Sequence, residues 1–477
     1  MSTVPDVLPE EIQINAWTGE EAPRTALGQD AEYWGARTEG IPHRQRPLPF
    51  EAPADMREWS APDVGYGVVL PEPEDTRLSD AEKAAGVDAP GPVQQLLAAR
   101  PGTVVLRWRP LLEGRFLRRY YPHDKPEEPT VGLSDFGVRR KCLPKYLVII
   151  GGPEVIPWNV QYALSTRHAV GRIPLSGDAL ANYIKALLSG WQGAATAVDR
   201  ALSWTVVHSP PDITTLMKTA IAQPLAQMLT PPPLTQFRHL VGNEATGAAL
   251  LQTLQDTAPG LVVTSSHGQT WPLDNPAAMR AALGLPVDVS HADLPLTELC
   301  SRMPTGCIWY AQACCSAGAS GESLYTGLLP AGSYALGTVS AVANLGTMVA
   351  PAAVELLGRA HPVRAVLGHV EPTFSWTLTV PGTGQILGTR IAAALSSHLY
   401  AGEPLGFALS EYRTDVGELH AQWAKLHEKL AAGDGNVGPT LTRLRVAALD
   451  RQSLVLLGDP TVALPKLRPG SGRPLPG

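Results

Sequence analysis

The stretch "CIWYAQACCSAG", residues 307–318, decides how this chain is read. Its first seven residues carry no charge and make an apolar run of strand length, and "CCSAG" ends the run in small residues. A run apolar at both odd and even positions suits a strand covered on both faces, as in a parallel sheet. The same design recurs at "KYLVIIGGPEVIP" (145–157), "AVGRIPL" (169–175), "ALSWTVVHSPPD" (201–212), "APGLVVTSSHG" (258–268), "VRAVLGHVEP" (363–372) and "SLVLLGDPTVALP" (453–465). A further strand is expected in "TVVLRWRPL" (103–111). Helical spacing fills the intervals: "SGDALANYIKALLSGW" (176–191), "ITTLMKTAIAQPLAQML" (213–229), "GQILGTRIAAALSSHLYAG" (384–402) and "ELHAQWAKLHEKLAA" (418–432). Strands alternating with helices predict an α/β fold around a mostly parallel sheet.

Composition narrows the function classes. The chain has 477 residues, 44% of them hydrophobic, enough for a sizeable core. A formal charge of −6 gives no general case for nucleic acid as partner. The N-terminus lacks a basic segment followed by an apolar one, so no signal peptide is read, and the expected compartment is a reducing cytoplasm. The stretch 333–358 is apolar but rich in Gly, Ala, Ser and Thr, and is read as helices packed beside a loop rather than a membrane span. Five cysteines without CxxC spacing argue against a disulfide framework and a zinc site, and no cofactor or metal is expected. Residues 1–92 are dense in proline and charge and read as an irregular Pro-rich region, and 466–477 as a flexible tail.

Two strand ends carry the chemistry. "LVVTSSHG" delivers His267 followed by Gly268, and "CIWYAQACC" delivers Cys314 and Cys315. Open parallel sheets place their sites beyond the carboxyl ends of the strands, so neighbouring strands would unite an imidazole with a thiol. A thiolate is the nucleophile, and the imidazole takes its proton and later protonates a leaving amine. The small residues Ser316, Ala317 and Gly318 would let backbone N–H groups approach an oxyanion, with the Gly268 N–H and the Cys315 backbone as donors. A lone free cysteine is more often a buried small hydrophobe; the pairing with His-Gly is what raises Cys314 above that. The Gly151–Gly152 pair lacks the rest of a phosphate loop and reads as a turn.

"VVTSSHGQ" and "YAQACCSAG" resemble the two motifs of the caspase-like (clan CD) cysteine peptidases. "KYLVIIGGPEVIP" with "AVGRIPLSGDALANYIKALL", "AVLGHVEPTFSW" and "VLLGDPTVALP" are similar to segments of the gingipain-like and CHAT branches. The resemblance implies a caspase-like or gingipain-like sheet flanked by helices, with an α/β subdomain over 93–200 and the catalytic subdomain over 201–465. It implies Cys314 as nucleophile, His267 as its partner, Cys315 as a bystander whose backbone lies at the oxyanion site, and Trp376 as a wall of the substrate cleft. Gln312 stands where relatives place a substrate-pocket residue. Gingipain-type members carry a carboxylate after the corresponding strand that orients the histidine; here His208 stands at the nearest place and Asp212 four residues later, so either the site is a plain His/Cys dyad or Asp212 serves instead, and the reading favours the dyad. Asp212 is also weighed as a pocket residue for a basic side chain, with Glu371 and Asp274 behind it. His369 reads as structural. Arg302, Arg359 and Arg364 belong to no motif that would select Asp.

The resemblance thus implies a cytoplasmic cysteine endopeptidase acting on a protein partner through a thioester. It further implies a bacterial, triggered protease of antiviral defence or cell death, its partner encoded nearby, with no nucleic acid and no membrane. The rival is a catalytically silent caspase-like module for binding or assembly, with the Pro-rich region as docking arm.

Overall fold

The computed structural model describes residues 8, 10–40, 54–112, 114–229, 234–380, 383–433 and 435–467. Most of the tail read over 466–477 lies outside them. Ten strands form one sheet: β1 Tyr66–Pro71, β2 Val104–Trp108, β3 Tyr146–Ile150, β4 Ala169–Ile173, β5 Ala197–Thr205, β6 Gln236–Val241, β7 Pro259–Ser265, β8 Ile308–Gln312, β9 Ala365–His369 and β10 Leu454–Gly458. Their order is β2-β1-β3-β4-β10-β9-β8-β7-β5-β6. Every pairing is parallel except β9 with β10, so two parallel blocks running in opposite directions meet at that one junction. The architecture is α/β, a mostly parallel sheet flanked by helices.

β3, β4, β7, β8, β9 and β10 are buried at every position, which is why their sequences run apolar without alternation. Helix Gly177–Leu188 sends Leu180, Tyr183, Ile184 and Leu187 into the main core at helical spacing. The Gly-Asp-Pro turn after β10 has a structural task. Asp459 is fully buried, takes hydrogen bonds from the Tyr66 hydroxyl and the Thr461 N–H, and pairs with Arg100 at 3.3 Å. It ties the closing strand to the first.

The described residues of the region 1–92 are less irregular than its proline and charge suggest. β1 lies inside the sheet between β2 and β3, and Ile12 and residues 14–18 are buried against the second block. Proline and glycine punctuate the chain around "YGVVLP" without interrupting it, so local composition hid a strand that tertiary pairing selects. β6, an edge strand of mixed polarity, was hidden for the same reason. The stretch 333–358 folds into Tyr334–Ala343 and Pro351–Gly358 with a turn between. Among the described residues no helix is long and apolar enough to cross a membrane.

Candidate active site

β7 and β8 are adjacent and parallel, with Ser265 opposite Gln312. His267 and Cys314 therefore each stand two residues beyond the last register pair, at the same end of the sheet. Gly268 brings these strand ends together. A Cβ there would lie 2.0 Å from the Cys314 carbonyl oxygen and 2.9 Å from its nitrogen, so only glycine permits the approach.

The turn after β8 is pinned by its own small residues. The Ser316 hydroxyl lies 2.9 Å and 2.8 Å from the Ala311 and Ala313 carbonyls and accepts the His369 N–H at 3.0 Å. Cys315 takes a left-handed conformation, φ +56°, and its N–H donates to the Glu371 carbonyl at 3.0 Å. The Ala317 N–H donates to His369 and the Gly318 N–H to Cys315. The amides of 315, 317 and 318, read from sequence as oxyanion donors, are thus spent on holding the turn. Cys315 reverses the chain, which leaves Cys314 directed at the loop after β9: the Thr373 N–H donates to Cys314 Sγ at 3.1 Å. Burial pushes the Cys314 thiol well above the ordinary range, although the Thr373 and Asn15 backbone N–H groups favour its thiolate.

His267 is fully buried, and its Nε2 lies 2.9 Å from Asp212 Oδ2. Its Nδ1 has no hydrogen-bond partner among the described residues. Asp212 sits at the N-cap of helix Ile213–Met217, where its Oδ1 accepts the Thr214 N–H at 2.8 Å and the Thr214 hydroxyl at 2.5 Å. Burial alone would raise this carboxyl, but the His267 and Thr214 bonds outweigh it and hold the pKa at about 2. An imidazole fixed at Nε2 by a carboxylate keeps its other nitrogen free to exchange a proton with a thiol. The sequence favours a plain dyad, with Asp212 as the alternative orienting carboxylate; the fold brings Asp212 to His267 across 55 positions. Its sequence signals are its place just after the β5 strand and "PPD" ahead of a helix.

The remaining candidates fall as follows. His208 stacks between His267 and His291, at 5.5 Å and 4.2 Å between ring centres, and burial with those two neighbours lowers it to about 4. Gln312 is buried on the core side, where its Oε1 accepts the Tyr310 hydroxyl and meets His369 Nε2 at 3.2 Å. That engagement leaves it no pocket to line. His369 also bonds the Ser453 hydroxyl at 2.9 Å, which fits a structural residue. Trp376 is buried in the apolar cluster that holds Cys314, Ile14, Ala16 and Phe374. Asp274 is exposed, whereas Glu371 is buried and burial pushes its carboxyl up to about 8, against a bond from Ser320. Arg359 and Arg364 bond carbonyls around Cys300, Met303 and Gly306, at the opposite end of β8 from Cys314. Among the described residues no group of three His, Cys, Asp or Glu could hold a metal ion.

No family model and no curated protein matches the chain. Solved structures do. The chain is similar to the Arg-specific cysteine proteinase gingipain R at 11% identity, with 85% of this chain and 79% of that chain covered and a TM-score of 0.40. It is similar to the Porphyromonas gingivalis RgpB pro- and mature domains in complex at 12% identity, 84% and 80% coverage and a TM-score of 0.38. It is also similar to Saccharomyces cerevisiae separase in complex with securin at 14% identity and a TM-score of 0.31, covering 70% of this chain and 16% of that one.

Proposed function

We propose that this protein is a cysteine endopeptidase of caspase-like type, with Cys314 as nucleophile and His267 as its acid and base. The observation that carries the reading is that His267 and Cys314 stand at matching ends of adjacent parallel strands, whose backbones approach so closely at Gly268 that a side chain there would clash. In this reading His267 Nδ1 takes the thiol proton, the thiolate attacks a peptide carbonyl, and the same imidazole protonates the departing amine. Water then releases the acyl group from sulfur. Asp212 acts as a positioning residue: it fixes the ring and stabilises the imidazolium, so the site is a triad in function rather than a plain dyad. The oxyanion donor is the Gly268 N–H.

A protein partner as substrate and a triggered role in defence or cell death follow from the sequence resemblance. A latent site supports the second part, since the thiol is buried as the molecule stands. Labelling with an acyloxymethyl-ketone or iodoacetamide probe tests the reading. The expected result is labelling lost in Cys314→Ala and kept in Cys315→Ala. Labelling that Cys315→Ala abolishes and Cys314→Ala does not would overturn the assignment, and no hydrolysis of any protein or peptide would leave the binding-module reading.

A further inference from the structure

Residues 12–18 are left over by the chemistry above, and they are not a surface arm. Ile12, Ile14, Asn15, Ala16 and Trp17 are buried, and they run extended between the two loops of the site. On one side the segment pairs antiparallel with the loop after β9. The Asn15 N–H donates to the Thr373 carbonyl at 2.7 Å, the Ser375 N–H donates to the Gln13 carbonyl at 3.2 Å, and Ile14 stands opposite Phe374. On the other side Ala16 and Trp17 pair parallel with Gly268 and Gln269. The Thr270 N–H donates to the Trp17 carbonyl at 2.9 Å. In a parallel ladder the groups facing the neighbour alternate. That bond, with Gly268 opposite Ala16, therefore turns the Gly268 N–H toward the carbonyl oxygen of Asn15. One peptide bond, Asn15–Ala16, is thus bracketed by a backbone clamp before it, a donor turned toward its carbonyl and the Cys314 thiol, which the Asn15 N–H approaches.

We propose that residues 13–17 occupy the substrate cleft as a substrate does, with the Asn15–Ala16 bond presented to Cys314, and that the enzyme cleaves after asparagine, beginning with its own chain. The inference rests on the peptidase reading and adds to it the residue that precedes the cut. Cys314 Sγ forms a bond to the Asn15 carbonyl carbon as the bond from that carbon to the Ala16 nitrogen breaks. The thiol proton passes through His267 to the Ala16 amine. Water then hydrolyses the thioester, leaving an Asn15 carboxylate and the thiol restored.

The side chain at this position is what selects. Asn15 is 1% exposed, and neither atom of its carboxamide has a hydrogen-bond partner among the described residues. A group buried at such a cost is retained for something other than packing. A guanidinium or ammonium in its place would need a carboxylate, and those at hand are engaged. Asp212 serves His267. Glu371 is driven towards its neutral form by burial. So is Asp450, which caps the 375–377 turn through the Phe374 N–H at 2.8 Å. Further back along the segment a cavity of about 440 Å³ flanks Ile12 and Gln13 and is lined by Pro211, Leu216 and Ser375. Larger side chains are therefore accommodated three and four residues before the cut, and a neutral one directly before it.

The test uses the full chain. It is incubated beside Cys314→Ala, and new N-termini are sequenced; the expected product begins at Ala16 in the wild type and is missing in the variant. The processed enzyme is then given the peptide EIQINAWTGE and versions with Gln, Asp, Arg or Ala at the fifth position, with kcat/KM at least tenfold higher for Asn. A third arm applies the thiol probe to wild type and to Ile14→Asp, in which a carboxylate at a buried position loosens the segment; faster labelling of Cys314 is expected. If Cys314 labels but neither chain nor peptide is cut after Asn, or Arg is preferred, the inference falls and the peptidase reading stands. If Cys314 labels in neither protein, both fall.

Discussion

Gly268→Ala is the sharpest perturbation of the site that replaces no reacting side chain. The added methyl would stand 2.0 Å from the Cys314 carbonyl oxygen and 2.8 Å from its carbonyl carbon. Ordinary non-bonded contacts sit near 3.5 Å, so the two strand ends must part by about 1.5 Å. Both obstructing atoms are backbone, and the Cys314 turn is held by Ser316 and by the bond from Cys315 to Glu371, so neither can swing aside as a side chain would. Overpacking of a rigid contact costs roughly 1–3 kcal/mol, and this case belongs at the upper end. A misplacement of about 1 Å between reacting groups costs roughly a hundredfold in rate. Urea unfolding and kcat/KM on a peptide substrate measure the two effects side by side. A variant within about 0.5 kcal/mol of wild type in stability and within threefold in rate would refute the claim that Gly268 sets how closely the two strand ends carrying His267 and Cys314 approach.

Asp212→Asn should lower kcat by roughly two to four powers of ten. The Thr214 N–H needs an oxygen at the first position, which turns the new amide N–H₂ toward His267 Nε2 and moves the ring proton to Nδ1, the nitrogen meant for the thiol. A loss under threefold would sink the positioning role. The same carboxyl has an acid signature: its pKa is lowered in the fold, so its contribution of about 2 kcal/mol is present above pH 4 and is lost as pH falls towards 2. Asp212→Asn should remove that limb from the stability–pH curve. Glu371 works in the opposite sense. Its folded pKa is raised from the ordinary carboxylate value to about 8, so the stability it confers is full below about 4.5 and is lost as pH rises through 8. Glu371→Gln should raise Tm at pH 8–9 relative to wild type and change it little at pH 5; an unchanged alkaline Tm would mean that the carboxyl is not kept neutral by burial.

What the sequence determined by itself is the set of strands buried on both faces and the chemistry at two of their ends. Apolar runs closed by small residues have one economical use, a parallel sheet, and they dictate where His267 and Cys314 emerge without any knowledge of register. Burial of both faces writes itself into every residue of such a strand, so β3, β4, β7, β8, β9 and β10 were all legible. Tertiary structure alone decided the rest. β1 sits in a proline-dense stretch, the bond between Asp212 and His267 joins residues 55 positions apart, and the two parallel blocks oppose each other only through the single β9–β10 pairing. Above all, "IQINAW" has neither a strand's neighbours nor a helix's period in sequence. Its partners, Thr373, Ser375 and Gly268, lie more than 250 residues away, and only closure of the sheet supplies the unpaired backbone groups that make the segment extended and buried. Hydrogen bonds between distant backbones leave no mark on side-chain pattern, which is why the chemistry was readable in the residues while the occupant of the cleft was not.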